Sequence, residues 1–586
     1  RKIITRCSEE KSKVYIMAGR PYHCDQMINQ GIPEIISGFG ITVLTEDCLP
    51  YGNEDLGGVE VLTQWAYPNR IYKAAKWVAE NDYAELLMVN SFGCGPDTIV
   101  ADEVKEILES HGRNFTLIRV DELSSTASLR LRIRSMVESL KPAASALIKS
   151  KIAGRKTTKP FTEADRARKI LVPHFSPFHA AYIAGTFKSM GYELEILPPS
   201  GRDSIETGLK YVNNEICYPA IIIIGDILKA LLSGTYDSSR IAVGLTQTGG
   251  QCRASNYIPL LKKALVKAGF EDIPVVAVTL AKGNMNYQPG FKFDKKTLIS
   301  QGIKGILYGD ALASLYYSTA PREKNKGESA ALIEEYNRLL LENNNNLTTD
   351  HLVYMLEEIV EKFNAIDTFV GSVPKIGVVG EVYVKNNPFG NNYIVDRLVS
   401  DGYEIIMPPL INMFIQWFVN AGVKNRLGIE KNKFKYYLAK LTEIYYNRLH
   451  KRFDTVTGKS RYYSKHPSIH EIAGSAEGII NMAAHYFGEG WMIAGDIAWM
   501  YENGIKNIVC LQPFGCLANH IVAKGLEKEL RELMPELNIA FLDIDYGSSD
   551  VNLQNRLRLL LDRVGKVENS ACSFQNKKLP RLVKLS

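Results

Sequence analysis

The chain has 586 residues, 46% hydrophobic and 23% charged, with a formal net charge of +6 and nine cysteines. At roughly 100–200 residues per domain, this length predicts three to four domains with conventional cores and no need of disulfide staples. The apolar content excludes general disorder, and a small positive excess spread along the chain is not the concentrated basic face of a nucleic-acid binder.

The first residues, RKIITRCSEEKSK, contain no apolar signal core and no initiator Met, so the chain reads as a processed, excised or incomplete piece of a soluble protein. Next, KVYIMAGRPYH is a short β-rich run ending in a Pro-aromatic-His turn, and the pattern returns at ILVPHFSPFH and KIGVVGEVYVKNNPFG. Each copy continues through a helical stretch into a second strand (ITVLTEDCLP, YELEILPPS, YEIIMPPL). A third strand follows (AELLMVNSFGC, RIAVGLTQTGGQC, NIVCLQPFGC), then a fourth (FTLIRVDE, IPVVAVTL, IAFLDID). Short apolar strands alternating with longer helices are the signature of βαβ units and a parallel sheet. Asp121, Ser124, Ser125, Leu129 and Arg132 match Asp545, Ser548, Ser549, Leu553 and Arg556, all at one offset of 424. The chain is therefore read as α/β: three related doubly wound, Rossmann/flavodoxin-like parallel-sheet modules.

The modules are expected at residues 1–153, 165–322 and 371–586. Gly154 to Lys169 is a charged connector, and residues 323–370 form a helical linker whose second helix has Thr349 and Asp350 as N-cap candidates. A helical insertion rich in Tyr, Lys and His is expected at about 411–500 in the third module; helix packing or a domain interface is its plain reading. The longest apolar run, Tyr218 to Leu232, contains Asp226 and Lys229 and is too short to span a membrane. An odd number of scattered cysteines favours the reducing cytoplasm.

In open parallel sheets, ligands bind beyond the C-terminal ends of the strands. The repeat puts cysteine there three times: Cys94 in SFGCGPD, Cys252 in TGGQCRASNY and Cys516 in PFGCLANH. Cys217 in NEICYPA is a fourth loop-like position before an apolar helix. Gly93, Gly250 and Gly515 allow a sharp turn beside the sulfur, and a following helix N-terminus favours thiolate. A single buried cysteine is usually a small apolar core residue, which accounts for Cys7, Cys24, Cys48, Cys510 and Cys572. It accounts poorly for one slot filled three times. No CxxC pair exists, so zinc ribbons and ferredoxin-type sites are disfavoured. A site gathered from separate loops, holding iron–sulfur or zinc, remains open.

His23 and His179 follow the first strands of modules one and two, as structural hydrogen-bonding groups or as proton donors. Arg20 and Arg253 are placed to face an anionic ligand or to cap a helix. Glu215 and Asp97 are weaker acid/base candidates at the same loops. There is no GxxxxGK[ST], no GxSxG elbow, and GVVGEVYV lacks dinucleotide-fingerprint spacing, so nothing supports ATP hydrolysis by this chain.

The segments GRPYHCDQMINQGIPE, VLTEDCLP, VNSFGCGPDTIVADEV, NEICYPAIIIIGDIL, TQTGGQCRASNY and LQPFGCLANHI resemble the C-terminal half of the large activase-related proteins. These belong to the 2-hydroxyacyl-CoA dehydratase and benzoyl-CoA reductase superfamily, and the resemblance runs from about Lys13 to Val564. It implies an oxygen-sensitive iron–sulfur cluster, [4Fe–4S] above all, on Cys217, Cys252 and Cys516 with Cys94 as a fourth. It also implies an ATP-dependent activase as electron donor and a small substrate, with an acyl-CoA as one class. His23, His179 and Glu215 would then handle protons, and Arg20 and Arg253 would face the cofactor or substrate. Two other readings stay open: a non-catalytic electron relay or regulatory partner of an activase, and a metal-free module that binds a small anion.

Overall fold

The computed structural model describes residues 2–50, 56–91, 95–121, 125–138, 156–247, 252–279, 286–342, 348–430, 433–481 and 490–564. The first four strands are β1 (Val14–Ala18), β2 (Thr42–Thr45), β3 (Ala84–Ser91) and β4 (Thr116–Val120). They form one sheet in the order β2-β1-β3-β4, every pairing parallel. All five residues of β1 are buried, as expected of a strand covered on both faces. The same order recurs in β5 (Lys169–Val172), β6 (Leu194–Ile196), β7 (Ile241–Thr246) and β8 (Val275–Val278). It recurs again in β9 (Lys375–Gly380), β10 (Glu404–Ile406), β11 (Asn507–Pro513) and β12 (Asn538–Ile544). Three parallel four-stranded sheets with interleaved helices are three doubly wound α/β modules.

That order fixes where a ligand can sit. The chain leaves the first and third strands of each sheet toward opposite edges, opening a crevice at their carboxyl ends. The loops after β1 and β3, β5 and β7, and β9 and β11 border these three crevices.

The linker is helical over Glu328–Glu342 and Thr349–Ala365. The second helix is capped by Thr348, whose side chain accepts from the His351 amide, one residue before the expected cap pair. Thr349 already has helical geometry and so cannot take the extended conformation of an N-cap. The third module's insertion contains helices Asn412–Arg426, Lys433–Thr457, Ile469–Glu477 and Gly490–Glu502.

The modules share one apolar core that includes Ile16, Leu171 and Val509, a residue from each sheet. Ion pairs lock its borders. Lys263, 9% exposed, meets Glu103 of module one at 2.7 Å, and Arg322 meets Glu404 of module three at 2.6 Å. Among the described residues, no helix is long and apolar enough to cross a membrane.

Candidate functional site

The three modules bring their strand-end loops to one guanidinium. Arg253 follows β7, is 5% exposed, and donates from Nη2 to the Gly515 carbonyl of module three at 2.8 Å. On its other side lies Gly95 of module one, where a side-chain Cβ would stand 2.6 Å from Arg253 Cζ. Only glycine admits the arginine there. Gly95 and Gly515 are the neighbours of Cys94 and Cys516, so one cation sits beside the strand-end loops of modules one and three while it follows Cys252 itself.

Burial opposes the Arg253 charge, but Cys217, Tyr257, Cys516 and Cys252 outweigh it and hold the guanidinium above its ordinary pKa. Cys217 Sγ is 2.7 Å from Tyr257 Oη, and Cys516 Sγ accepts from Asn519 Nδ2 at 3.2 Å. Cys252 Sγ accepts from the Ala254 amide at 3.5 Å. Glu381 after β9 and Asp545 after β12 complete the surround; burial raises both carboxyls, and Arg253 pulls them back only in part.

Each described cysteine of this group stands where the sequence places it. Cys217 is the N-cap of Tyr218–Leu232, Cys252 precedes the short helix Arg253–Asn256, and Cys516 is the N-cap of Leu517–Val522. Gly515 has φ of +70°, the left-handed turn expected beside the sulfur. Cys94 lies outside the described residues, as do Gly93, Gly250 and Cys572. Cys7 and Cys510 are buried as core residues should be. Cys24 and Cys48 are exposed, so the apolar-core reading fails for them: both lie in 3-10 turns beyond strand ends.

The other candidates serve as braces. Arg20 reaches across the first crevice to Asp97, with Nη2 at 2.7 Å from Oδ1. His23 Nδ1 accepts from the Arg20 amide at 3.0 Å, and Nε2 lies 3.0 Å from Ser91 Oγ. A ring nitrogen that accepts from an amide carries no proton, so His23 is neutral and its Nε2–H donates to Ser91. Burial also lowers its pKa. In this arrangement, His23 has no proton to give without breaking the turn.

His179 is 2% exposed and lies between Ser176 Oγ, 2.9 Å from Nδ1, and Asp310 Oδ1, 3.2 Å from Nε2. Asp310 also accepts from the Leu410 and Ile411 amides, so this line ties module two to module three. It has the members of a Ser-His-Asp triad, but Ser176 is completely buried and cannot meet a substrate. Glu215 pairs with Arg119 of module one at 2.9 Å.

Sequence reading missed Tyr257, Glu381 and Asp545. Glu381 had a signal: it follows the glycine that ends β9, as Arg20 follows Gly19 after β1. Tyr257 and Asp545 show their role only once the modules are packed together.

Residues 1–49 match a family model described as a CoA enzyme activase uncharacterised domain. The matched stretch holds β1 and β2, and it agrees with the chain's resemblance to the activase-related proteins. No curated protein matches the chain.

Proposed function

We propose that the protein holds a [4Fe–4S] cluster in the crevice around Arg253 and accepts low-potential electrons from an ATP-dependent activase. The chemistry served is reduction or radical elimination on a small substrate, with acyl-CoA thioesters as the class to test. The observation that carries this reading is the convergence of Cys217, Cys252 and Cys516 on one buried cation, with Gly95, next to Cys94, packed against it.

The donor set suits such a cluster. Its ligands are soft thiols from separate loops. Among the described residues, no three His, Cys, Asp or Glu side chains group closely enough to hold one metal ion. Bound there, the cluster would supply one-electron chemistry. Cys217, Cys252, Cys516 and Cys94 would hold it, and Arg253 would balance its negative charge. Tyr257 would direct its hydroxyl at the Cys217 sulfur, and Glu381 and Asp545 would hold protons at the rim. Arg20, His23, His179 and Glu215 would fix the loops rather than carry protons.

One observation favours a second reading. Arg253 is buried and makes no ion pair among the described residues, as a site for a small anion would require. Anaerobic purification from a cluster-assembling host separates the two. The cluster reading expects brown protein with iron and acid-labile sulfide in equal amounts; colourless, iron-free protein would sink it. Adding reduced activase, ATP and acyl-CoAs then distinguishes an enzyme, which turns over, from a relay, which does not.

A further inference from the structure

The helix Lys433–Thr457 is packed mainly along its second half, and an apolar stripe along its first half stays largely exposed. Ala439, Tyr446, Leu449 and Phe453 are buried against neighbouring helices. Nearer the start of the helix, Phe434, Tyr437, Leu438, Leu441, Ile444 and Tyr445 are 40–71% exposed, Tyr445 touching the rest of the chain through its hydroxyl, 3.1 Å from Ser300 Oγ. At 3.6 residues per turn these six fall within an arc of about 120°. They present on the order of 600 Å² of apolar surface, at the upper end of what a typical monomer exposes and close to the roughly 800 Å² each partner gives a standard interface. The region is unusual: of the 33 exposed large hydrophobic side chains among the described residues, 10 fall between Phe414 and Tyr445.

We infer that this stripe is a self-association surface, covered by the same helix of a second copy of the chain. The order of residues argues for that occupant. Aromatic rings stand at both ends, Phe434 and Tyr445, with leucines between, Leu438 and Leu441. An antiparallel pair across a two-fold axis therefore sets Phe434 against Tyr445 and Leu438 against Leu441, an isologous contact in which one surface complements itself. The stripe contains no charged side chain; Lys433, Lys440 and Arg448 flank it, and Lys440 is held aside by Glu443 at 2.9 Å. An uncharged centre with a polar rim is the anatomy of a homodimer interface. Such a surface needs permanent cover, and a second copy is the partner always present at equal concentration.

The test is mass in solution. Light scattering on the full chain at micromolar concentration should give twice the 65.6 kDa chain mass. Leu441→Glu should return it to the single mass, with dimer affinity falling at least a hundredfold. Leu131→Glu, at a 71% exposed leucine of module one, should leave the dimer intact. Unchanged far-ultraviolet circular dichroism in both variants excludes misfolding as the cause. A wild-type chain of single mass, its stripe free for a membrane or a different protein, overturns the inference. So does a Leu441→Glu variant that stays dimeric.

Discussion

Arg253 carries a charge at 5% exposure, and one of its described hydrogen bonds crosses to another module. Replacing it by Met keeps most of the volume but strips the Gly515 carbonyl of its donor. Arg253→Met should therefore cost about 1–3 kcal/mol in urea unfolding, as for other buried groups left unpaired. A smaller loss would mean that the guanidinium does not join the modules. A second residue gives a pH signature. His174 is 3% exposed, its Nδ1 has no hydrogen-bond partner among the described residues, and burial lowers its pKa from 6.5 to about 4. The unfolded chain thus takes up this proton before the native one does. The stabilising contribution is whole above pH 6.5 and is lost as pH falls through about 4, up to about 3 kcal/mol. Urea midpoints of wild type should drop more steeply over that range than those of His174→Gln; parallel curves would contradict the assignment. At this scale, the strand-end cysteines were legible from the repeat. The brace roles of His23 and His179 were not, because Ser91 and Asp310, their partners, are 68 and 131 residues away.

The position of Cys217 depends on two helices in close contact. Tyr218–Leu232 lies against Arg202–Tyr211 so tightly that a Cβ on Gly225 would stand 1.8 Å from the Ser204 carbonyl oxygen. Gly208 is similarly confined, since a Cβ there would stand 2.2 Å from the Ile221 carbonyl oxygen. Gly225→Ala must separate the helices and shift the turn that carries Cys217. It should destabilise the protein by at least about 2 kcal/mol. Gly302→Ala, in a helix where nothing lies within 4 Å of the added carbon, should instead be neutral or gain up to about 1 kcal/mol. Calorimetry compares them directly, and equal effects would refute the packing argument. The strands were readable because each is a short apolar run between turns. The helix cap at Thr348 was misplaced by one residue, since three polar residues in a row offer equivalent capping oxygens.

Across the whole molecule, the borders between modules are held by buried charge. Glu103 is completely buried, accepts from the Glu60 amide at 3.1 Å and pairs with Lys263 of module two, which also reaches Glu106 at 3.1 Å. Lys263→Met takes the ammonium from that buried carboxylate and should cost about 3–5 kcal/mol, while the double variant with Glu103→Gln should recover much of the loss. Additive costs in denaturant unfolding would show that the pair is not coupled. The repeat made three parallel sheets legible through strand–helix alternation, whereas their 2-1-3-4 order is set by tertiary packing that alternation alone does not specify. The approach of the modules was not legible: it rests on contacts such as Gly95 against Arg253, for which no local pattern exists. The central claim, that thiols from separate loops hold one iron–sulfur cluster, is tested most directly by iron per chain in three anaerobically purified variants. Wild type and Cys510→Ser should each hold about four irons, while Cys252→Ser and Cys516→Ser should fall below half of that. Equal iron in all three variants, or none in the wild type, would contradict it.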